Sequence, residues 1–324
     1  MEMKPAISVI LPVYNGGYLL VASVQSVLQQ DIGNFEFLIC DDCSTDESLN
    51  LLRKVCDGVP QVKILQNDSN QGLFKTLNRL MHESSAPLIH LWSQDDIMKS
   101  HCLRSTIAFH DEHPSAGMSY SLRDLIDEND ILISSAPQDG TPEIINKSLY
   151  AKISAYWGCM PGNIANVAIT RFAFEKIGEF NTAMKVSGDF EYWTRIAQHY
   201  DIGFNKDPNI FLRVHKGQLS QQSNSVAHRI MEDITIMQTL LSMASEKDLP
   251  RLNLSWRWKT QTSYFNELIY LMRKREWALA RKSYRAIRNI SSPLPLSLRW
   301  FVVKMMRLAG CEFWFYKKVI KTLI

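Results

Sequence analysis

Two adjacent carboxylates, Asp95 and Asp96, follow the apolar run Leu88 to Trp92 with no basic residue beside them in sequence. Like charges placed this way repel each other unless a cation lies between them or solvent screens them. Oxygen-rich pairs of this kind suit Mg2+ or Mn2+, held by one or two carboxylates together with phosphate oxygens. The same pair would also serve as an acidic helix N-terminus. A second acidic pair, Asp41 and Asp42, lies inside Cys40-x-x-Cys43. A redox or zinc role for these thiols would need a low thiol pKa or a second ligand pair, and the carboxylates between them disfavour the thiolate.

The elements that must position these groups can be read from hydrophobic periodicity. Ile7 to Pro12, Phe35 to Cys40, Val62 to Leu65 and Pro87 to Trp92 read as strands. They alternate with helical patterns at Gly17 to Gln30, Ser44 to Asp57, Gly72 to Ser84 and Lys99 to His113. A capping box, Ser44 to Glu47, is expected to open the second helix. The βαβα order implies an α/β fold with a parallel or mostly parallel sheet covered by helices on both faces. Such sheets bind ligands where loops leave the carboxyl ends of their strands. Pro12 to Gly16, Asp41 to Asp46, Asn67 to Gly72 and Ser93 to Asp96 all fall there, so one polar, acidic edge is the candidate site. Farther on, short strands are expected near Met118 and Ile131, with helices over Pro142 to Ile153 and Ser187 to Tyr200. Beyond Ser225 the pattern is helical, with a break at Ser291 to Pro295.

The chain has 324 residues, 46% hydrophobic and 21% charged, which excludes a disordered or collagen-like protein. One large domain over 1–224 with a second region over 225–324 is expected, and their charges differ in sign. Residues 1–224 hold 18 basic and 26 acidic side chains, whereas 225–324 hold 18 and 7. The uncharged run from Pro5 to Gln30 contains Pro12, Asn15, Gly16 and Gly17, which a signal sequence or membrane span tolerates poorly. A cytoplasmic location is therefore expected.

Ile7-Ser8-Val9-Ile10-Leu11-Pro12-Val13-Tyr14-Asn15, Asp41-Asp42-Cys43-Ser44-Thr45-Asp46, Asn70-Gln71-Gly72, Ser93-Gln94-Asp95-Asp96 and Gly188-Asp189-Phe190-Glu191-Tyr192-Trp193 occur in the order and spacing of family 2 glycosyltransferases. The chain resembles that family from about residue 6 to 216. The resemblance implies a GT-A (Rossmann-like) fold and inverting transfer of a sugar from a nucleotide-diphosphate donor, UDP or dTDP, to a glycan or lipid-linked acceptor in surface polysaccharide synthesis. It also implies that Pro12, Tyr14, Asn15, Asp41, Asp42, Asn70, Gly72 and Asp95 form the donor nucleotide pocket. Tyr14 would stack on the base, and a carboxylate would accept from a base N–H or ribose hydroxyl. Asp95 and Asp96 match the family's metal-binding element and His215 a histidine near the metal or diphosphate, for Mg2+ or Mn2+. Ser93 stands where the family often has Asp.

By the same resemblance Asp189 is the catalytic base, and Gly188 keeps only the Asp of a common Glu-Asp pair. Glu191, Trp193 and Arg195 share its helix and are candidate acceptor contacts, Trp193 either as a sugar platform or as core. Residues 256–324 hold five of the eight tryptophans and several basic clusters. That combination suits peripheral association with the inner face of a cell membrane; a helical pair with a solvated basic face and an oligomer interface are the alternatives. No nucleic-acid motif accompanies the basic residues. A noncatalytic assembly protein at the membrane that keeps the fold is the rival reading, motivated by Ser93 and Gly188. A nicotinamide enzyme is disfavoured because no G-x-G-x-x-G follows the first strand.

Overall fold

A computed structural model describes residues 4–215 and 226–319. The boundary expected at 224/225 lies outside the described residues. Strands β1 (Ile7–Val13), β2 (Phe35–Asp41), β3 (Val62–Gln66) and β4 (Leu88–Leu91) pair in the order β3-β2-β1-β4, all parallel. Between them run α1 (Leu19–Leu28), α2 (Ser48–Val55) and α3 (Leu73–Glu83). Strand β1 reads as an unbroken apolar run because it is covered on both faces. Ile7, Val9, Leu11 and Val13 pack with Leu20, Val24 and Val27 of α1 and Leu52 of α2, while α3 lies against β1 and β2. Pro12 sits beyond Ile10, the last β1 residue that pairs with β4, so its missing donor does not interrupt that ladder.

The sheet continues through β5 (Ile97–Met98), α4 (Cys102–Glu112), β6 (Ala116–Ile126), β7 (Leu132–Ser134), β8 (Ile144–Ile145), α5 (Lys147–Trp157), β9 (Val167–Thr170), α6 (Arg171–Ile177), α7 (Gly188–Ala197) and β10 (Asp201–Arg213). Its ten strands follow the order β3-β2-β1-β4-β9-β6-β10-β5, with β7 on β6 and β8 on β10. Strand β9 runs antiparallel to both β4 and β6, so the parallel pattern of the first four strands gives way to a mixed sheet. All four parallel strands deliver their carboxyl ends to one edge, the edge expected to carry the site.

Two local expectations are corrected. Helix α2 begins at Ser48, not Ser44, and no capping box forms. The Ser44 hydroxyl instead accepts the Asn15 N–H at 3.0 Å, and the Asp46 carboxylate takes the Ser48 N–H at 3.0 Å. The helix expected from Pro142 starts at Lys147, because Ile144 and Ile145 pair with Gly203 and Ile202 of β10.

The described residues form two compact units. One holds the sheet, with residues up to Asn146, Pro161–Thr182 and those from Arg195. The other holds Lys147–Met160, Ala183–Thr194 and the described residues from 226. In the second unit α8 (Val226–Met243), α9 (Leu249–Ser255), a π-helical turn (Trp256–Thr260), α10 (Gln261–Arg273), α11 (Trp277–Ile290) and α12 (Pro293–Leu308) follow one another, before α13 (Glu312–Trp314). Its core joins Ile230 and Ile234 of α8, Tyr264, Leu268 and Leu271 of α10, Ala280 and Ile287 of α11, and Leu296 of α12. No described helix is long and apolar enough to cross a membrane.

Candidate active site

At the carboxyl edge of the sheet, the loops after β1, β2 and β3 are tied to one another by side chains. Asn15, with a left-handed φ of 48°, offers its N–H to the Ser44 hydroxyl and its Oδ1 to the Thr45 N–H at 2.8 Å. The Gly16 N–H donates to the Ser48 hydroxyl at 2.9 Å. Tyr14, 43% exposed, is held through its backbone, donating its N–H to Gln94 Oε1 at 2.9 Å and accepting from Gln94 Nε2 at 3.2 Å. Its ring is thus presented at the edge by a fixed main chain.

The acidic pair divides its work. Asp42, buried, accepts from Asn67 Nδ2 at 2.7 Å and from the Gln71 N–H at 2.8 Å through Oδ1, and from the Gly72 N–H at 2.8 Å through Oδ2. It closes the 67–72 loop, where Gly72 adopts a φ of 84° that only glycine takes readily. Asn70, in the same loop, is exposed. Asp41, fully buried, accepts the Ser44 N–H at 3.1 Å through Oδ2, while its Oδ1 has no partner among the described residues. Of the two carboxylates, Asp41 is the one with an acceptor to spare. Burial pushes the Cys40 thiol up to about 11 and keeps it neutral.

The second acidic pair is also asymmetric. Asp95 is half-buried, and His215 Nε2 lies 2.9 Å from its Oδ2. The Ser93 hydroxyl donates to Asp95 Oδ1, so the serine in the place of an acid orients the remaining carboxylate. Asp96 is turned inward, where its Oδ1 accepts the Arg213 N–H at 2.8 Å; burial, and then the charge of Asp95, push its carboxyl up to about 8. The sequence reading missed Arg213. Its side chain, 1% exposed, donates to the carbonyls of Asp95 at 2.8 Å and Asp127 at 2.9 Å and pairs with Asp130 at 2.6 Å. Among the described residues no group of three or more His, Cys, Asp or Glu could hold a metal ion. Asp95 and His215 nevertheless offer one carboxylate oxygen and one imidazole nitrogen at a single point. That set fits a divalent ion that completes its shell with phosphate oxygens and water, and Asp96 stands outside it.

The remaining candidates lie on or beside α7. Asp189 is half-buried in the first turn, and its Oδ1 accepts the Phe190 N–H at 2.8 Å. Burial raises its carboxyl pKa. The preceding loop is held by a residue that the sequence reading did not single out, Glu232 of α8. This buried carboxylate accepts three successive N–H groups, from Lys185 at 2.6 Å, Val186 at 3.0 Å and Ser187 at 2.7 Å. Its neighbour Asp233 accepts from the Ser187 hydroxyl at 3.0 Å. Asp189 opens into a cavity of about 580 Å3, within the usual range for small-molecule sites, whose lining includes Tyr156, Trp157, Asp233, Lys259 and Tyr316. Glu191 is half-buried. Trp193 is fully buried with its ring 5.7 Å from that of Tyr192, which excludes it as a sugar platform. Arg195 is likewise not presented to an acceptor, since its guanidinium donates to the carbonyls of Ile177 at 3.0 Å and Glu179 at 2.7 Å.

An open sheet with its polar loops gathered at the carboxyl edge defines the class, the GT-A fold. A crystal structure of S. aureus TarS 1-349 in complex with UDP-GlcNAc aligns with a TM-score of 0.64 at 17% identity, over 95% of this chain and 92% of that one. The mannosyltransferase PcManGT from Pyrobaculum calidifontis, in complex with GDP-Man and Mn2+, aligns at 0.58 with 15% identity, over 98% and 85%. The family model for glycosyl transferase family 2 matches residues 8–163 of the chain. It is 26% identical over 192 residues to a PGL/p-HBAD biosynthesis glycosyltransferase of Mycobacterium bovis, covering 58% of this chain and 68% of that relative. It is 31% identical over 114 residues to EpsE of Bacillus subtilis, of which the matched stretch spans only 41%.

Replacing Asp42 by Ala leaves two backbone N–H groups without their acceptor and is expected to destabilise the fold by about 2 to 3 kcal/mol, read as a lower denaturant midpoint. Asp233 gives a pH signature. Burial, reinforced by Glu267 and Glu232 against the Ser187 hydroxyl and Arg229, pushes its carboxyl up to about 6. An unfolded Asp titrates near pH 4, so between about 4 and 6 the folded chain holds a proton that the unfolded chain has lost. The contribution of this group to stability therefore falls as pH rises through that window and is constant above it. Unfolding midpoints of Asp233→Asn and the unmodified chain should diverge in favour of the variant across the window and run parallel above it.

Proposed function

We propose that the protein is an inverting glycosyltransferase that moves a sugar from a UDP- or dTDP-linked donor to a glycan or lipid-linked acceptor in surface polysaccharide synthesis. The observation that carries this reading is the meeting of Asp95 and His215, 120 positions apart, just past β4 at the edge where Tyr14 is exposed and the buried Asp41 keeps an unused acceptor among the described residues. Tyr14 stacks on the base of the donor and Asp41 Oδ1 accepts from a base N–H or ribose hydroxyl, while Asp42 keeps the 67–72 loop in place beside them. A divalent ion, Mg2+ or Mn2+, held by Asp95 and His215 would offset charge on the departing diphosphate. Asp189 takes the proton of the acceptor hydroxyl as its oxygen bonds to the anomeric carbon and the bond from that carbon to the diphosphate oxygen breaks. Burial raises the affinity of this carboxylate for a proton, the direction that strengthens a general base.

The same reading assigns the region 256–324 to a membrane surface. Leu294, Leu298, Phe301, Met305 and Leu308 are all exposed at spacings of four and three along one side of α12, while Leu296 and Val303 are buried on the other. Between Glu276 and Glu312 there are seven basic residues and no acidic one. An apolar stripe amid cations matches an anionic lipid surface; two copies docked through it would bring like charges together.

Asp189→Asn should lower turnover, followed as nucleoside diphosphate release, by at least about a hundredfold. The rise in thermal midpoint with UDP and Mn2+ should survive in that variant and vanish in Asp95→Ala. Unchanged turnover in Asp189→Asn removes the base assignment. Folded protein that shifts with no nucleoside diphosphate supports the noncatalytic assembly protein instead. On phosphatidylglycerol vesicles the full chain should float at low salt, and Leu298→Glu with Phe301→Glu should leave it in the unbound fraction; an unmodified chain that stays unbound rejects the membrane assignment.

A further inference from the structure

An acceptor that gives its proton to Asp189 must enter the cavity into which Asp189 opens, and the walls of that cavity have their own chemistry. Trp157, the last residue of α5, is 62% exposed and lines it. The Lys259 ammonium lies 4.9 Å from the centroid of the Trp157 ring and donates to the Tyr156 carbonyl at 3.0 Å. Lys259 makes no ion pair with a carboxylate among the described residues. Burial lowers its pKa, which marks it as a cation partly withdrawn from water and placed by the indole and one carbonyl. Here a cation lies over one face of an exposed ring that lines the cavity. The surrounding lining includes hydroxyl, amide and aromatic side chains, among them Ser187, Thr260, Asn266 and Tyr316, together with the charged Asp233, Arg307 and Glu312. Flat apolar surface beside dense hydrogen-bonding groups is the complement of a pyranose, which has an apolar C–H face and a rim of hydroxyls.

We propose that this cavity is the subsite for the acceptor sugar, with Trp157 as its stacking platform and Lys259 as the residue that positions that platform. The proposal rests on Asp189 as the base. It transfers to Trp157 the role that Trp193 cannot fill, and it makes the helices after residue 226 part of the binding site, since Lys259, Thr260, Asn266 and Tyr316 all come from them.

The test labels the full chain with 5-fluorotryptophan, assigns the Trp157 resonance by its absence in Trp157→Phe, and titrates with the methyl glycosides of glucose, galactose, mannose and N-acetylglucosamine. The Trp157 signal should move saturably with at least one of them, and the move should persist in Asp189→Asn. Lys259→Met should weaken that glycoside roughly tenfold, with Lys259→Arg restoring it. A Trp157 signal that none of the four glycosides moves, in protein whose midpoint still rises with UDP and Mn2+, overturns the proposal. A signal that moves while Asp189→Asn keeps full turnover leaves the subsite standing and removes the base, so the two failures are separate.

Discussion

Irregular backbone at the end of a sheet carries N–H groups that a strand would have paired, and each buried one must find an acceptor. In this chain many of those acceptors are carboxylates, beside the Ser44 and Ser48 hydroxyls and the Asn15 and Gln94 amide oxygens. Asp42 takes the N–H groups of Gln71 and Gly72, Asp41 that of Ser44, Asp46 those of Gly17 and Ser48, Asp96 that of Arg213, and Glu232 those of Lys185, Val186 and Ser187. Each charged acceptor makes a stronger bond than a neutral carbonyl would, and each fixes a loop that carries a candidate site residue. The acidic excess of residues 1–224 is therefore in part scaffolding. Asp41 Oδ1 and Asp95 Oδ2 stand out because, among the described residues, the first has no hydrogen-bond partner and the second meets His215.

The parallel half of the sheet was legible because three of its four strands, β1, β2 and β4, are buried on both faces and its helices are amphipathic, and both leave a periodic trace. The candidate edge was legible for the same reason, as the place where four periodic segments end in polar residues. What the sequence hid were acceptors chosen at long range. Arg213 lies 117 positions from the carboxylate that receives its N–H, and Glu232 sits 45 to 47 positions from the three groups it binds. The false capping box at Ser44 has the same origin, since a hydroxyl that could have capped α2 finds the Asn15 N–H first. Side-chain direction was the other blind spot. Trp193 and Arg195 share a helix with Asp189, but Trp193 is fully buried and Arg195 is bound to carbonyls of the 177–179 turn.

The C-terminal helices have two faces with separate chemistry. Helix α8 brings Glu232 and Asp233 to the loop ahead of Asp189, and the π-helical turn brings Lys259 to Trp157. Helices α11 and α12 turn basic and apolar side chains outward, including Trp277, Leu294 and Leu298. The positive charge of this region favours a membrane surface in the sequence over a packed helical pair or an oligomer interface, because charge is visible there whereas the two acids of α8, set among apolar residues, are not conspicuous.

The three bonds from Glu232 also bear on how such a chain can be recombined. A join placed where the charge changes sign, near residue 224, would exchange α8 along with everything after it and deprive the 185–187 turn of Asp233 and of Glu232, the carboxylate that accepts its three N–H groups. A crossover after Met243 would keep that carboxylate with the turn it organises. The piece that keeps Glu232 with the turn it organises is thus longer than the stretch the family model matches, and because α8 shares one core with α10, α11 and α12, the helices that follow belong with it.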